Sequence, residues 1–318
     1  MRWRKLGRVF DPATVSLPGG SGQFAQAPQA LVFDDFVRIF FSTRSVDRNG
    51  KYRSHVAFID MDKALHRVID ICRDEVIPLG GPGCFDEHGI FPLSVLRHGD
   101  ALYGYTCGWS RRVSVSVETA IGLAFSHDDG VTFERAGRGP VLAASLNEPC
   151  LVGDGFVTVV DDTFHMWYIF GLGWKRYVPG GAPDRIYKIG HATSADGVTW
   201  TRDEGRPLIA DRLGADESQA LPCVIEIDGR FHLFFCYRHS FDFRTNPSRG
   251  YRIGHAFSDD LSNWTRDDDD PALVGTPGQW DSDMQCYPHA FACDGAVLLL
   301  YNGNEFGRHG FGAAVLER

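Results

Sequence analysis

One stretch recurs along this chain and limits what it can fold into. Residues 187–202 read YKIGHATSADGVTWTR, residues 251–266 read YRIGHAFSDDLSNWTR, and residues 119–135 read TAIGLAFSHDDGVTFER. Each copy joins an apolar run to a polar turn of the Ser-x-Asp or Asp-Asp-Gly kind, and an aromatic residue with Arg close behind it follows. Asp-Gly accepts the positive φ of a tight turn and the flanks favour strands, so each copy predicts a β-hairpin. Gly122, Gly190 and Gly254 align at a spacing of about 65 residues. That is too long for one hairpin and right for a four-stranded sheet, so the repeat predicts the blade of a β-propeller.

The register extends beyond the hairpins. Ahead of each lie an acidic cluster, an apolar strand and a second strand rich in aromatics. The clusters are Asp86-Glu87-His88, Asn147-Glu148-Pro149, Asp216-Glu217-Ser218 and Asp281-Ser282-Asp283, and the earliest copy opens on Gln26-Ala27-Pro28 with no acid. The expectation is an all-β, five-bladed propeller of four-stranded antiparallel blades, forming one domain over residues 1–318. The last blade runs out of chain after its third strand. A strand around Trp3, which matches Trp200 in its surroundings, is expected to close the ring and remove two free sheet edges.

Apolar residues at 43% and aromatics at 13% are ample for a packed core, and no apolar run reaches the roughly 20 residues of a membrane span. The opening residues lack a signal-peptide pattern. Eight cysteines without Cys-x-x-Cys pairing read as buried free thiols in a reducing compartment. The expectation is a cytoplasmic protein with no membrane partner, and the sequence leaves its oligomeric state open. A net charge of −9 argues against nucleic acid as a partner. Arginines nonetheless concentrate after the second strand of each blade, among them Arg44, Arg111, Arg112 and Arg238. In an antiparallel blade that end shares a face with the start of the first strand. Acids and arginines are therefore expected around one mouth, which suits a small, anionic sugar or glycan substrate.

A ring of this kind, with acids at inner-strand starts and S-x-D-G-x-T-W turns on outer strands, resembles the furanosidase group of glycoside hydrolases, families 43, 32, 68, 117 and 130. It is also similar to uncharacterised bacterial proteins that accompany surface-polysaccharide genes and to the N-terminal region of plant glucosamine inositolphosphorylceramide transferases. By blade order the resemblance implies Glu217 as general acid and Glu148 as auxiliary carboxylate. The base falls to Asp283 or Glu87, because Gln26-Ala27-Pro28 stands where that group carries Asp-Pro. It implies a glycosidase. The alternatives are a phosphorylase, in which inorganic phosphate attacks the sugar, and a non-catalytic sugar-binding propeller. The Ser126 to Phe133 turn also matches the Asp-box of sialidases, a less favoured reading given five blades.

Gln26 and Arg44 join the candidate substrate contacts, as do His88, Trp109, Arg111, Arg112, Trp174, Arg238 and Asn302. The indoles of Trp109 and Trp174 end second strands, where a ring face stacks on a sugar or simply packs in the core. His88 reads equally as a polar core residue, and Asn302 equally as part of a glycine turn. No Gly-rich phosphate loop and no His-x-x-His metal spacing is present, so no cofactor or metal is expected.

Overall fold

The structure is a computed structural model in which residues 1–18, 22–269 and 272–317 are described. About half of the residues are in strands, nearly all paired antiparallel and laid out as successive four-strand meanders. The first comprises β2 (Gln26–Val32), β3 (Val37–Val46), β4 (Tyr52–Met61) and β5 (Val68–Ile71), and the second β6 (Gly89–His98), β7 (Ala101–Arg111), β8 (Val117–Ser126) and β9 (Glu134–Arg135). A single parallel bridge, Ser54 to Gly89, joins these two into one eight-stranded sheet. Next come β10 (Cys150–Val160), β11 (Thr163–Lys175), β12 (Asp184–Ser194) and β13 (Thr201–Arg202), then β14 (Glu217–Ile227), β15 (Arg230–His239), β16 (Arg252–Ser258) and β17 (Thr265–Arg266). The last sheet holds β18 (Cys286–Cys293), β19 (Ala296–Asn302) and β20 (Phe311–Glu317), and β1 (Arg2–Phe10) completes it by pairing antiparallel with β20. The first strand of each meander packs on the first strand of the next, and β18 returns to β2.

Middle strands read as near-continuous apolar runs because sheets cover them on both faces. Trp167, Tyr168 and Phe170 of β11 and Phe234 and Phe235 of β15 are fully buried, each worth roughly 1.5–3 kcal/mol in burial. The repeated turns explain themselves locally. The Asp196 carboxylate accepts from the Val198 and Thr199 amides at 2.8 and 2.7 Å, and Ser194 Oγ accepts from Gly197 N at 2.9 Å. Asp260 does the same for Ser262 and Asn263. The aromatic residue after each turn wedges into the preceding meander: Trp200 against Tyr105, Trp264 against Trp167, Phe133 against Phe40. The turn therefore serves sheet packing and leaves the axis alone.

Acids at the inner-strand starts also serve packing. Asp86 pairs with Arg135 on β9, Glu148 with Arg202 on β13 at 2.7 Å, Glu217 with Arg266 on β17 at 2.7 Å, and Asp281 with Lys5 on β1 at 2.5 Å. All four carboxylates are buried. Each ties the innermost strand of its sheet to the outermost. In the acidic run Asp267 to Asp270 that follows β17, Asp268 is buried between Arg212 and Arg266; Asp270 lies outside the described residues. The seam between the last and first meanders is held by Asn302, which accepts from Ala27 N and donates to the Ala25 and Gly310 carbonyls.

Candidate functional site

Every inner strand slips register near its start: between Gln26 and Gln29, Ile90 and Leu93, Cys150 and Gly153, Ala220 and Cys223, Cys286 and His289. A bulge of this kind twists the strand and re-aims a side chain. At Ala27, Leu151, Leu221 and Tyr287 the backbone takes positive φ. Phe91, Leu151, Leu221 and Tyr287 thereby face a cavity of about 300 Å3, while Ala27 belongs to the apolar cluster beneath it. The residues brought to the axis by the bulges are thus apolar or aromatic.

The cavity's charged groups come from elsewhere. Arg44 ends β3, Arg185 begins β12 and Arg244 lies in the β15–β16 loop, and all three line the wall with Tyr52, Trp109, Tyr187, Phe243 and Tyr251. Burial and the neighbouring Arg185 charge lower the pKa of Arg44, and burial with Arg185 and Arg238 lowers that of Arg244. None of the three forms an ion pair with another described residue. Arg185 donates to Ser116 Oγ at 3.3 Å, and Arg44 Nε is buried without a partner, as is Thr119 Oγ1 in the same wall. Crowded, partly desolvated guanidinium groups of this kind recognise an oxyanion.

Asp154 is the one carboxylate lining the cavity among the described residues. It lies within a second register shift of β10, between Gly153 and Phe156, is itself at positive φ, and is 7% exposed. Burial raises its pKa to about 7, against the opposing pull of the Leu221 amide, the Cys107 thiol and the Arg185 charge. It therefore exchanges a proton near neutral pH, as a general acid or base must. Beneath the wall, Tyr187 and Tyr251 share a hydroxyl contact at 2.5 Å, and the fully buried Arg238 donates to Tyr187 Oη at 2.9 Å with its guanidinium stacked on Phe243.

The structure gathers only part of the site expected from the sequence. Arg44 and Trp109 line the cavity. Glu217 does not: its carboxylate is fully buried and accepts from Arg212 N, Leu213 N, Gln219 Nε2 and Arg266 Nη1. Glu148 is likewise enclosed by Tyr168, Gly205 and Arg202. Neither of these two carboxylates lines the cavity, because each is committed to partners inside its sheet. Asp283 is exposed beside Ser282, and Glu87 caps Gly83 N at the rim. Neither of these two base candidates lines the cavity.

Gln26 is buried and donates to the Phe306 carbonyl, and Asn302 works in the seam. Arg111 is held by Asp47 at 2.7 Å, and Arg112 points into solvent. His88 stacks on Trp109 with its pKa lowered by burial, and Trp174 packs at the edge of the core. Strand period alone misses Asp154, Arg185 and Arg244. Asp154 sits in VGDG, which reads as a turn; a charged residue inside an otherwise apolar inner strand is the available signal. Among the described residues no cluster of three His, Cys, Asp or Glu could hold a metal ion.

This architecture is shared with solved carbohydrate-active enzymes. A complex of BT0996 with RGII superposes with a TM-score of 0.74 at 17% identity, covering 99% of this protein and 91% of that one. A structure described as "Glycoside hydrolase" gives 0.74 at 16%, with 99% and 93% covered. "The GH130 family of mannoside phosphorylases contains glycoside hydrolases that target beta-1,2 mannosidic linkages in Candida mannan" gives 0.66 at 15%, with 93% and 84% covered. The fold is that of the β-propeller glycoside hydrolases. No family model matches the chain. Within that fold the chain belongs to the family of "Uncharacterized protein MT1551" and "Uncharacterized protein Rv1502" of Mycobacterium tuberculosis, strains CDC 1551 / Oshkosh and ATCC 25618 / H37Rv. It is 34% identical to each over 319 residues, and the match spans 100% of both proteins in each pair.

Proposed function

We propose that the chain is a single-domain, five-bladed propeller that cleaves a glycosidic bond in its axial cavity. The substrate is a sugar or glycan held there together with an oxyanion. In this reading the eight-stranded sheet counts as two blades. The carrying observation is the cavity's charge: Arg44, Arg185 and Arg244 without ion-pair partners, and Asp154 as the lone lining carboxylate among the described residues. Glycosidic cleavage needs one group to protonate the leaving oxygen and another to attack or to activate water. Asp154 takes the first role in place of Glu217. As the C1–O bond breaks, its proton passes to the departing oxygen.

The second role falls to the anion beside the arginines: inorganic phosphate attacking C1, or an anionic group of the substrate that closes on C1 and is then released by water, whose proton returns to Asp154. A phosphate that adds to C1 can return its remaining proton to Asp154, which restores the acid. Eight free cysteines support a reducing, cytoplasmic setting for this chemistry. A second reading, sugar binding without turnover, draws support from the apolar bulge positions, which supply no partner carboxylate. Screening aryl glycosides, uronides and sugar phosphates with and without inorganic phosphate tests both. Cleavage that falls at least a hundredfold in Asp154→Asn, with binding retained, is the expected result. Undiminished turnover in that variant overturns the acid assignment, and binding without turnover under either condition selects the second reading.

A further inference from the structure

The loops that surround the cavity mouth carry a second pattern, independent of the chemistry inside. The end of β3, where the β3–β4 loop begins, and the β7–β8 and β11–β12 loops each place an aliphatic side chain in solvent: Val46 at 62% exposure, Val113 at 107% and Val178 at 51%. Each also carries exposed cations close by, Arg48 and Lys51 in the first loop, Arg112 in the second and Arg176 in the third. The three loops form one surface. Arg111 bridges the second to the first through Asp47 Oδ2 and the Tyr52 carbonyl, and Arg185 ties the third to the second through Ser116.

Several acids on this face are engaged, Asp47 by Arg111, Asp216 by Lys175 and Glu305 by Arg308, while Asp242 and Asp283 are exposed with no ion pair among the described residues. The cations Arg48, Lys51, Arg112 and Arg176 form no ion pair among the described residues. A chain of net charge −9 has thus gathered unpaired positive charge and exposed aliphatic tips around one opening. No helix is long and apolar enough to cross a membrane, but shallow contact with a charged interface requires only such tips and cations.

We propose that this face docks the protein on an anionic lipid surface, with the valine tips entering the headgroup boundary and the cavity mouth turned toward the bilayer. Aliphatic tips favour lipid over a soluble polyanion, because a polysaccharide chain offers them no apolar phase. The docked orientation presents the cavity to sugars carried at that surface.

Co-sedimentation of the full chain with large unilamellar vesicles tests this, using phosphatidylcholine alone or with about one phosphatidylserine in three lipids, at low and near-physiological salt. The expected result is partition onto the anionic vesicles only, weakened by salt. Val113→Ser with Val178→Ser, which leave the charge unchanged, should weaken it about tenfold or more, and Arg112→Glu by about fivefold or more. All three positions are exposed, so a matching melting temperature will show that the variants fold. No binding to anionic vesicles overturns the proposal. So does binding indifferent to the valine changes, which would be charge attraction alone. Binding to soluble polygalacturonate with vesicles left unbound overturns it as well, in favour of a glycan surface.

Discussion

Asp154 combines two opposed consequences of burial. A carboxyl raised from 3.8 to about 7 holds its proton in the folded state while the unfolded chain releases it. The stabilisation this gives is fully present below pH 3.8 and is lost as pH rises toward 7. At higher pH the folded state carries a buried charge that costs it up to about 4 kcal/mol. Asp154→Asn is neutral throughout. Thermal melts should therefore show the variant more stable than the parent at pH 8, with the difference shrinking to nothing near pH 4. A variant less stable at every pH would mean that the carboxylate is a structural anchor. The same substitution is expected to abolish turnover, so activity and stability should move in opposite directions, as they do where a protein keeps a strained group for its chemistry.

At the level of the element, the inner-strand acids behave as ties. Glu217→Gln leaves Arg266 buried with only Asp268 for charge compensation, and should cost about 3 kcal/mol in a denaturant titration. A loss below about 0.5 kcal/mol, the level of an exposed pair, would show that the tie contributes nothing. These ties also explain which features are legible in the sequence. The hairpin turns are readable because Asp196 and Asp260 bond amides two and three residues away, so their logic is local. The pairing of β1 with β20 is readable because Trp3 repeats the surroundings of Trp200.

The acids are misplaced by strand period because alternation fixes a side chain's face only while the register is unbroken. A bulge at Leu151 or Leu221 reverses that assignment within two residues, and nothing in the sequence of a single strand announces it. A second register shift in β10, between Gly153 and Phe156, places Asp154 at the cavity and hides it from a reading by period. Arg185 and Arg244 stand in arginine-rich segments that are recognisable as a group. Which members of the group pair with acids depends on neighbouring sheets far away in sequence.

For the whole molecule, the decisive joint is β1 on β20, where Arg2 lies opposite Glu317 and Trp3 packs edge-on against Phe234. Deleting residues 1–10 strips β20 of its neighbour and Asp281 of Lys5, and opens an edge able to pair with other chains. The deletion should lower the melting temperature by on the order of 10 °C and produce aggregates in size-exclusion chromatography. A monomer with unchanged melting would relegate β1 to an ornament on the surface. The joint also sets an order of events at the ribosome. At roughly 5–20 residues per second, tens of seconds separate the appearance of β1 from that of its partner. Throughout that interval the earliest strand waits as an unclaimed edge beside the meanders forming after it, and the cell's chaperones are the company it keeps.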